Sequence, residues 1–254
     1  NDFNIYERAR TNNFTISEWK ARVDLAACHQ IFYQKGWTDG INTHLSVRIP
    51  DKKNKFLLKP DYLMFHEVKA SNLVELDYSG NYEGSYPVNL AGAIIHGAIL
   101  QGRDDINCVL HHHTDAAIAV SSLKEGLLPM SQHALAFYGN IGYHDYEGVA
   151  LDESEKESLK RDLGKYNTML LRNHGVISCG KTIAGAYAAC DALEVACRSQ
   201  LLAQNTGLDL QLPSEKVKNF TAKQFQGFGE NRANDLEWPA LLRWLDYLEI
   251  KYAE

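Results

Sequence analysis

Apolar positions divide the chain into alternating helical and extended stretches. Over residues 16–35, Trp19, Val23, Ala26, Ala27 and Phe32 recur on one helical stripe, with Thr15-x-x-Glu18 in the form of a capping box and Gly36 as a stop. Short β-type runs follow at 44–49, 55–58 and 73–82, the last broken by a hairpin turn at Ser79-Gly80-Asn81. A helix is predicted over 89–100, where Asn89 suits the N-cap and Leu90, Ile94, Ala98 and Ile99 share a side. A buried strand at 106–110 then runs straight into His111-His112-His113. Beyond it the pattern predicts a helix at 115–122, a turn at Gly126 and Pro129, and two short segments around 131–137 and 141–144. Asp152-x-x-Glu155 caps a further helix that ends near Gly164, and a second buried strand at 168–172 returns through 176–178. The long helix at 182–204 carries Ile183, Tyr187, Cys190, Leu193, Cys197 and Leu201 at helical spacing, the signature of core packing. A polar stretch follows Asn205-Thr206-Gly207, and a last amphipathic helix begins near Trp238-Pro239.

Strands and helices interleave throughout, with no Pro/Gly/Ser-rich linker and no repeat. This predicts one α/β layer domain over residues 1–212, with residues 213–254 as a C-terminal extension packed on it or on a neighbouring subunit. Composition narrows the function classes. A 254-residue chain with 45% hydrophobic residues has the material for a core, which excludes a disordered or fibrous protein. Its 26 Lys and Arg against 32 Asp and Glu give a net charge of −6, a poor match to nucleic acid or an anionic membrane. No run approaches the roughly 18 apolar residues of a membrane span, and the first residues lack the basic-then-apolar order of a signal peptide. A cytoplasmic location is therefore expected. The five cysteines, widely spaced among apolar neighbours, are expected to be buried free thiols. No G-x-G-x-x-G, P-loop or G-x-S-x-G pattern occurs.

The excess lies in the ten histidines. Side chains alternate along a strand, so His111 and His113 share a face at the end of an apolar run while His112 takes the other. The second buried strand ends in Leu171-Arg172-Asn173-His174-Gly175, which brings His174 to the rim of the same sheet. Three neutral imidazoles leave coordination positions open, as a catalytic metal site requires; the alternative is a set of hydrogen-bonded rim histidines.

His111-His112-His113-Thr114 after an apolar strand, the later Leu171-Arg172-Asn173-His174-Gly175, and a helix with Ile95-His96 ahead of the first strand resemble the class II aldolase/adducin superfamily. The likeness extends over residues 16–204. It implies an α/β fold, a three-layer α/β/α sandwich around a mainly antiparallel central sheet, and often a homotetramer with sites at subunit interfaces. It also implies one divalent metal ion per subunit on His111, His113 and His174, with zinc the leading choice and Fe(II), Mn or Co as alternatives.

The departures redirect the function. Sugar-phosphate aldolases of the family resemble P-S-S-E ahead of the histidine helix, with the Glu as acid/base; here residues 87–92 read Pro-Val-Asn-Leu-Ala-Gly, and the carboxylate is missing. The G-N-x-S phosphate loop reads Thr43-His44-Leu45-Ser46, and T-P-x-G reads Lys59-Pro60-Asp61-Tyr62. Asn42 to Arg48, Gly126 to Pro129 and Tyr143 to Gly148 instead resemble adducin heads and their small bacterial relatives.

The expected function is a metal-dependent lyase on a small, non-phosphorylated hydroxy- or oxo-acid. Glu147, His144, Tyr143 and His44 are the acid/base candidates. His44, Ser46, Arg48, Lys59 and His133 are the candidates for substrate binding. His96 is expected to be a packing residue. Two other functions compete: a mononuclear Fe(II) decarboxylating oxygenase of aryl-2-oxo acids, and a non-catalytic, adducin-head-like oligomerisation module.

Overall fold

The computed structural model describes residues 2–148 and 153–254. Helix α1 (Asp2–Thr11) leads into α2 (Ile16–Lys35). Thr15 caps α2 by accepting from the Glu18 N–H, and Gly36, at φ 72°, closes it by donating to the Phe32 and Tyr33 carbonyls. The Glu18 carboxylate does not complete the expected capping box. It is buried against Arg22 at 2.9 Å, an ion pair that α2 carries into the interior.

The remaining elements are β1 (His44–Arg48), β2 (Lys55–Leu58), β3 (Val74–Asp77), α3 (Leu90–Gly102), β4 (Cys108–His112), α4 (Asp115–Ser122), α5 (Gln132–Leu135), β5 (Gly142–His144), α6 (Glu153–Leu163), β6 (Thr168–Leu171), β7 (Gly175–Gly180), α7 (Ile183–Gln204), α8 (Glu215–Arg232) and α9 (Trp238–Tyr247). The strands form one sheet in the order β3-β2-β1-β4-β7-β6-β5, antiparallel at every step except the parallel β5–β6 pair.

Alternation sorts each strand between two cores. Leu45, Val47, Cys108 and Leu110 face α2 and α7, whereas Val109, Met169, Leu171 and Ile177 face Ile95 and Ile99 of α3 and Leu159 and Leu163 of α6. These side chains are nearly fully buried, each worth about 1.5–3 kcal/mol relative to exposure. The result is the expected three-layer α/β/α sandwich.

Three stretches differ from the sequence expectation. The run at 73–82 is a strand only as far as Asp77; after the turn it returns in a single bridge between Leu76 and Tyr82. The polar stretch after residue 207 contains α8, whose described side chains are largely exposed, so no apolar stripe announced it. Helix α1 was likewise unannounced. The expected cap Asp152 lies outside the described residues.

The C-terminal residues return to the main core. Ala233, Trp238, Leu245 and Tyr252 are buried with α2 and α7, Trp238 Nε1–H donates to Asp24 at 3.1 Å, and Ala70 N–H donates to the Tyr252 carbonyl at 2.9 Å. All five cysteines are buried and free. Among the described residues no helix is long and apolar enough to cross a membrane.

Candidate metal centre

The site gathers at one end of the sheet, where β1 begins, β4 ends and β6 turns into β7. His44 and His111 are paired across β1 and β4, and both rings lie on the α3 face, 4.9 Å apart between centroids. His112 takes the opposite face and stacks on Trp37, where burial lowers its pKa to about 3.

The β6–β7 turn is shaped by three successive residues. Asn173 takes the left-handed conformation at φ 59°, a role that Asn fills better than most residues. Gly175 lets β7 approach β4, since a Cβ there would stand 2.4 Å from the His112 carbonyl oxygen. His174, held between them, is thereby directed at the end of β4.

The three imidazoles converge through Nε2. His113 Nε2 lies 2.8 Å from His111 Nε2 and 2.9 Å from His174 Nε2, and one nitrogen from each ring falls within 4.8 Å of the others. His111 Nδ1–H donates to the Val176 carbonyl at 2.8 Å, and His113 Nδ1 faces the Asp39 carboxylate at 3.1 Å. A carbonyl and a carboxylate only accept, so each Nδ1 carries a hydrogen, and the neutral tautomer then has its lone pair on Nε2. Lone pairs opposed at such distances repel unless a cation lies between them. Burial, followed by the neighbouring histidines, holds His111 well below the ordinary imidazole pKa and brings His174 down to about 4. A three-nitrogen donor set backed by fixed acceptors fits a borderline divalent ion such as Zn(II) or Fe(II).

A second chain of polar groups backs this cluster. Ser46 Oγ bonds His96 Nδ1, and His96 Nε2 bonds His44 Nδ1 at 2.7 Å. All three residues are buried; burial lowers His44 well below its ordinary range and His96 to about 3, so the chain is neutral. His96 is therefore a packing residue that also orients His44.

On the other flank, His144 Nδ1–H donates to Asp162 Oδ2 at 2.8 Å, and its Nε2 is buried without a partner among the described residues. Burial works against ionisation of Asp162, but hydrogen bonds from Arg161 and His144 outweigh it and hold the carboxyl below its usual range. Ile95, His144, Tyr146, Glu147, Leu171 and His174 line one small cavity. Glu147 is exposed and accepts from the Ser158 hydroxyl at 2.7 Å.

The model of the Class II Aldolase and Adducin N-terminal domain matches residues 23–201. The chain belongs to the class II aldolase/adducin family. A Pseudomonas aeruginosa protein named for aldolase class 2 is 43% identical over 245 residues, 94% of either chain. Rat alpha-adducin is 37% identical over 243 residues, covering 89% of this chain and only 33% of its own. Among solved structures, an aldolase II superfamily protein from Pseudomonas syringae superposes with a TM-score of 0.93 at 40% identity, covering 97% of this chain and all of its own. L-fuculose 1-phosphate aldolase from Glaciozyma antarctica reaches 0.81 at 27% identity, covering 94% and 92%.

Against this family background, Arg48, Tyr143 and His133 fall away from the cluster, while Lys59 stays near enough to His44 to act on its charge. Arg48, expected to bind a substrate carboxylate, stands at the far end of β1. Its guanidinium donates to the carbonyls of Leu100 (2.8 Å), Ile106 (2.8 Å) and Arg103 (3.2 Å) and to the Tyr78 hydroxyl, closing the C-terminal end of α3. Tyr143 points to the α4 side of the sheet, where its hydroxyl accepts from the Leu127 N–H at 3.0 Å under the Arg172 guanidinium. His133 is exposed on α5, which packs on α7 and α8. Lys59 is buried, with a pKa lowered to about 8 by burial, and its ammonium faces the carbonyls of Ile41 (3.0 Å), Asp61 (3.3 Å) and Pro60 (3.4 Å). Its three protons are thereby spoken for. Sequence reasoning missed Asp39 and Asp162, which sit 74 and 18 residues from the histidines they orient, with no local signal.

Proposed function

We propose that this family member is a metal-dependent lyase, of aldolase or decarboxylase type, acting on a small non-phosphorylated hydroxy- or oxo-acid. The observation that carries it is the convergence of three imidazole nitrogens, two of them on rings whose Nδ1 faces a fixed acceptor, Val176 or Asp39. A purely structural module has no need of lone pairs aimed at one point. His111, His113 and His174 would hold the ion, and the chemistry supplied by such an ion when bound is Lewis-acid polarisation of a substrate carbonyl.

The remaining residues bear on the substrate. Ser46, the residue kept from the family's phosphate loop, is bonded to His96, which favours a substrate without phosphate. The cavity beside His174 is small, with Tyr146 and Glu147 at its exposed side. We place the enzyme in the cytoplasm as a homotetramer; exposed Leu202, Leu208, Phe220 and Tyr247 offer apolar surface for subunit contacts.

The test is turnover by zinc-loaded protein on a panel of short hydroxy- and oxo-acids, read as carbonyl product or carbon dioxide released. Turnover that a chelator abolishes is the expected result. Oxygen uptake on aryl pyruvates by Fe(II)-loaded protein would replace the lyase with an oxygenase, and inert protein that binds no metal would leave an adducin-head-like module.

A further inference from the structure

We infer that His144 and Asp162 form the proton-transfer dyad of this site, with His144 Nε2 as the atom that takes the substrate proton and Asp162 as the positioning residue; the inference rests on the lyase function proposed above. Residues 87–92 lack the carboxylate that serves as acid/base in the sugar-phosphate aldolases, so some other group must move the proton. Three observations converge on His144.

The first is its orientation. The Asp162 carboxylate accepts from Nδ1–H at 2.8 Å, so the lone pair of the neutral ring is on Nε2. The second is that Nε2 is buried and unpartnered among the described residues, although leaving a buried polar atom without a partner is costly. A site that keeps such an atom gains from it when a donor arrives. The third is location: His144 lines the same small cavity as His174, a member of the histidine cluster.

The dyad is rigidly mounted. β5 pairs in parallel with β6, His144 opposite Leu171, and the His144 carbonyl accepts from the Arg172 N–H at 2.8 Å. Gly142 presses β5 onto α6, since a Cβ there would stand 2.7 Å from the backbone carbonyl oxygen of Asp162. The strand carrying the base and the helix carrying its orienting carboxylate are thus fixed to each other. The other candidates are otherwise engaged: Tyr143 lies on the opposite sheet face, Glu147 is exposed and bonded to Ser158, and His44 Nδ1 is bonded to His96.

The step concerns a substrate with a hydroxyl two carbons from a carbonyl. The hydroxyl proton moves to Nε2, and the imidazolium that forms keeps its Nδ1–H bond to the Asp162 carboxylate. The oxygen forms a C=O bond as the neighbouring C–C bond opens, and that electron pair stays on the carbon next to the carbonyl. That carbon then takes the proton back from Nε2, so neither charge nor electrons are gained or lost.

The experiment uses full-length protein, metal-free and zinc-loaded. In 15N-histidine NMR, His144 is expected to show Nδ1 protonated and Nε2 bare, with the proton shifting toward Nε2 in Asp162→Ala and returning to Nδ1 in Asp162→Glu. In titrations with 3-hydroxypropionate and with propionate, the hydroxyl-dependent preference for 3-hydroxypropionate is expected to fall at least about fivefold in His144→Phe and Asp162→Ala, with zinc stoichiometry unchanged. A wild-type His144 protonated on Nε2, or an undiminished preference in both variants, would show that the pair only anchors α6. Wild-type protein that takes up no zinc would overturn the lyase function itself and the dyad with it.

Discussion

Gly92 makes room for His44: a Cβ built on Gly92 would stand 2.7 Å from His44 Cδ2 and 2.9 Å from Cγ. The two positions fall in the stretches where the sequence departs from the sugar-phosphate aldolases, the missing carboxylate before the helix and the altered phosphate loop. They depart together because they share one space. With no side chain at Gly92, the imidazole of His44 fits against α3 and is fixed there by His96.

Gly92→Ala is therefore expected to force the His44 ring off His96, since the clash meets a ring clamped on both sides. The expected cost is about 1–3 kcal/mol of stability, read from urea denaturation, with altered ring signals for His44 and His96. An unchanged midpoint would mean that the ring has slack the packing does not show.

Stability should depend on pH through the buried neutral histidines. His29 and His96 have pKa values near 3 in the folded chain, lowered first by burial, against about 6.5 when unfolded. The unfolded chain then binds more protons, so this contribution is complete above about pH 6.5 and is lost as pH falls toward 3. Each group contributes at most about 1.4 kcal/mol per pH unit in that window. Denaturation midpoints should hold from pH 7.5 to about 6.5 and fall from there to pH 5; a flat profile throughout would place these rings in contact with water.

The sheet, the helices that pack on it and the histidine cluster were legible in the sequence because each has a local signal. Alternation fixed the face of His111 and His113, and Asn173-His174-Gly175 is a turn whose residues each have a backbone reason. The partners of the site left no such trace. His44 and His96 are 52 residues apart, and His144 and Asp162 are 18 apart on different elements, so only tertiary packing brings them together. Arg48 misled for the same reason: a basic residue on a strand gives no sign that carbonyls at the end of α3 will claim it. Helix α8 was illegible because its exposed faces lack the stripe that marks a core helix.

Arg48→Met should separate support from site. Removing the guanidinium strands the carbonyls of Leu100, Arg103 and Ile106, with an expected loss of about 1–3 kcal/mol in denaturation, while metal content stays at the wild-type level. Metal loss in folded Arg48→Met would return this residue to the site.

The most direct test of the account is elemental analysis of wild type, His111→Ala and His174→Ala, with folding checked by circular dichroism. One divalent ion per chain in wild type and none in either folded variant is the predicted result. Full metal retention in both variants, or a wild-type protein that binds no metal when it is supplied, would contradict the assignment of His111, His113 and His174 as the centre of the site.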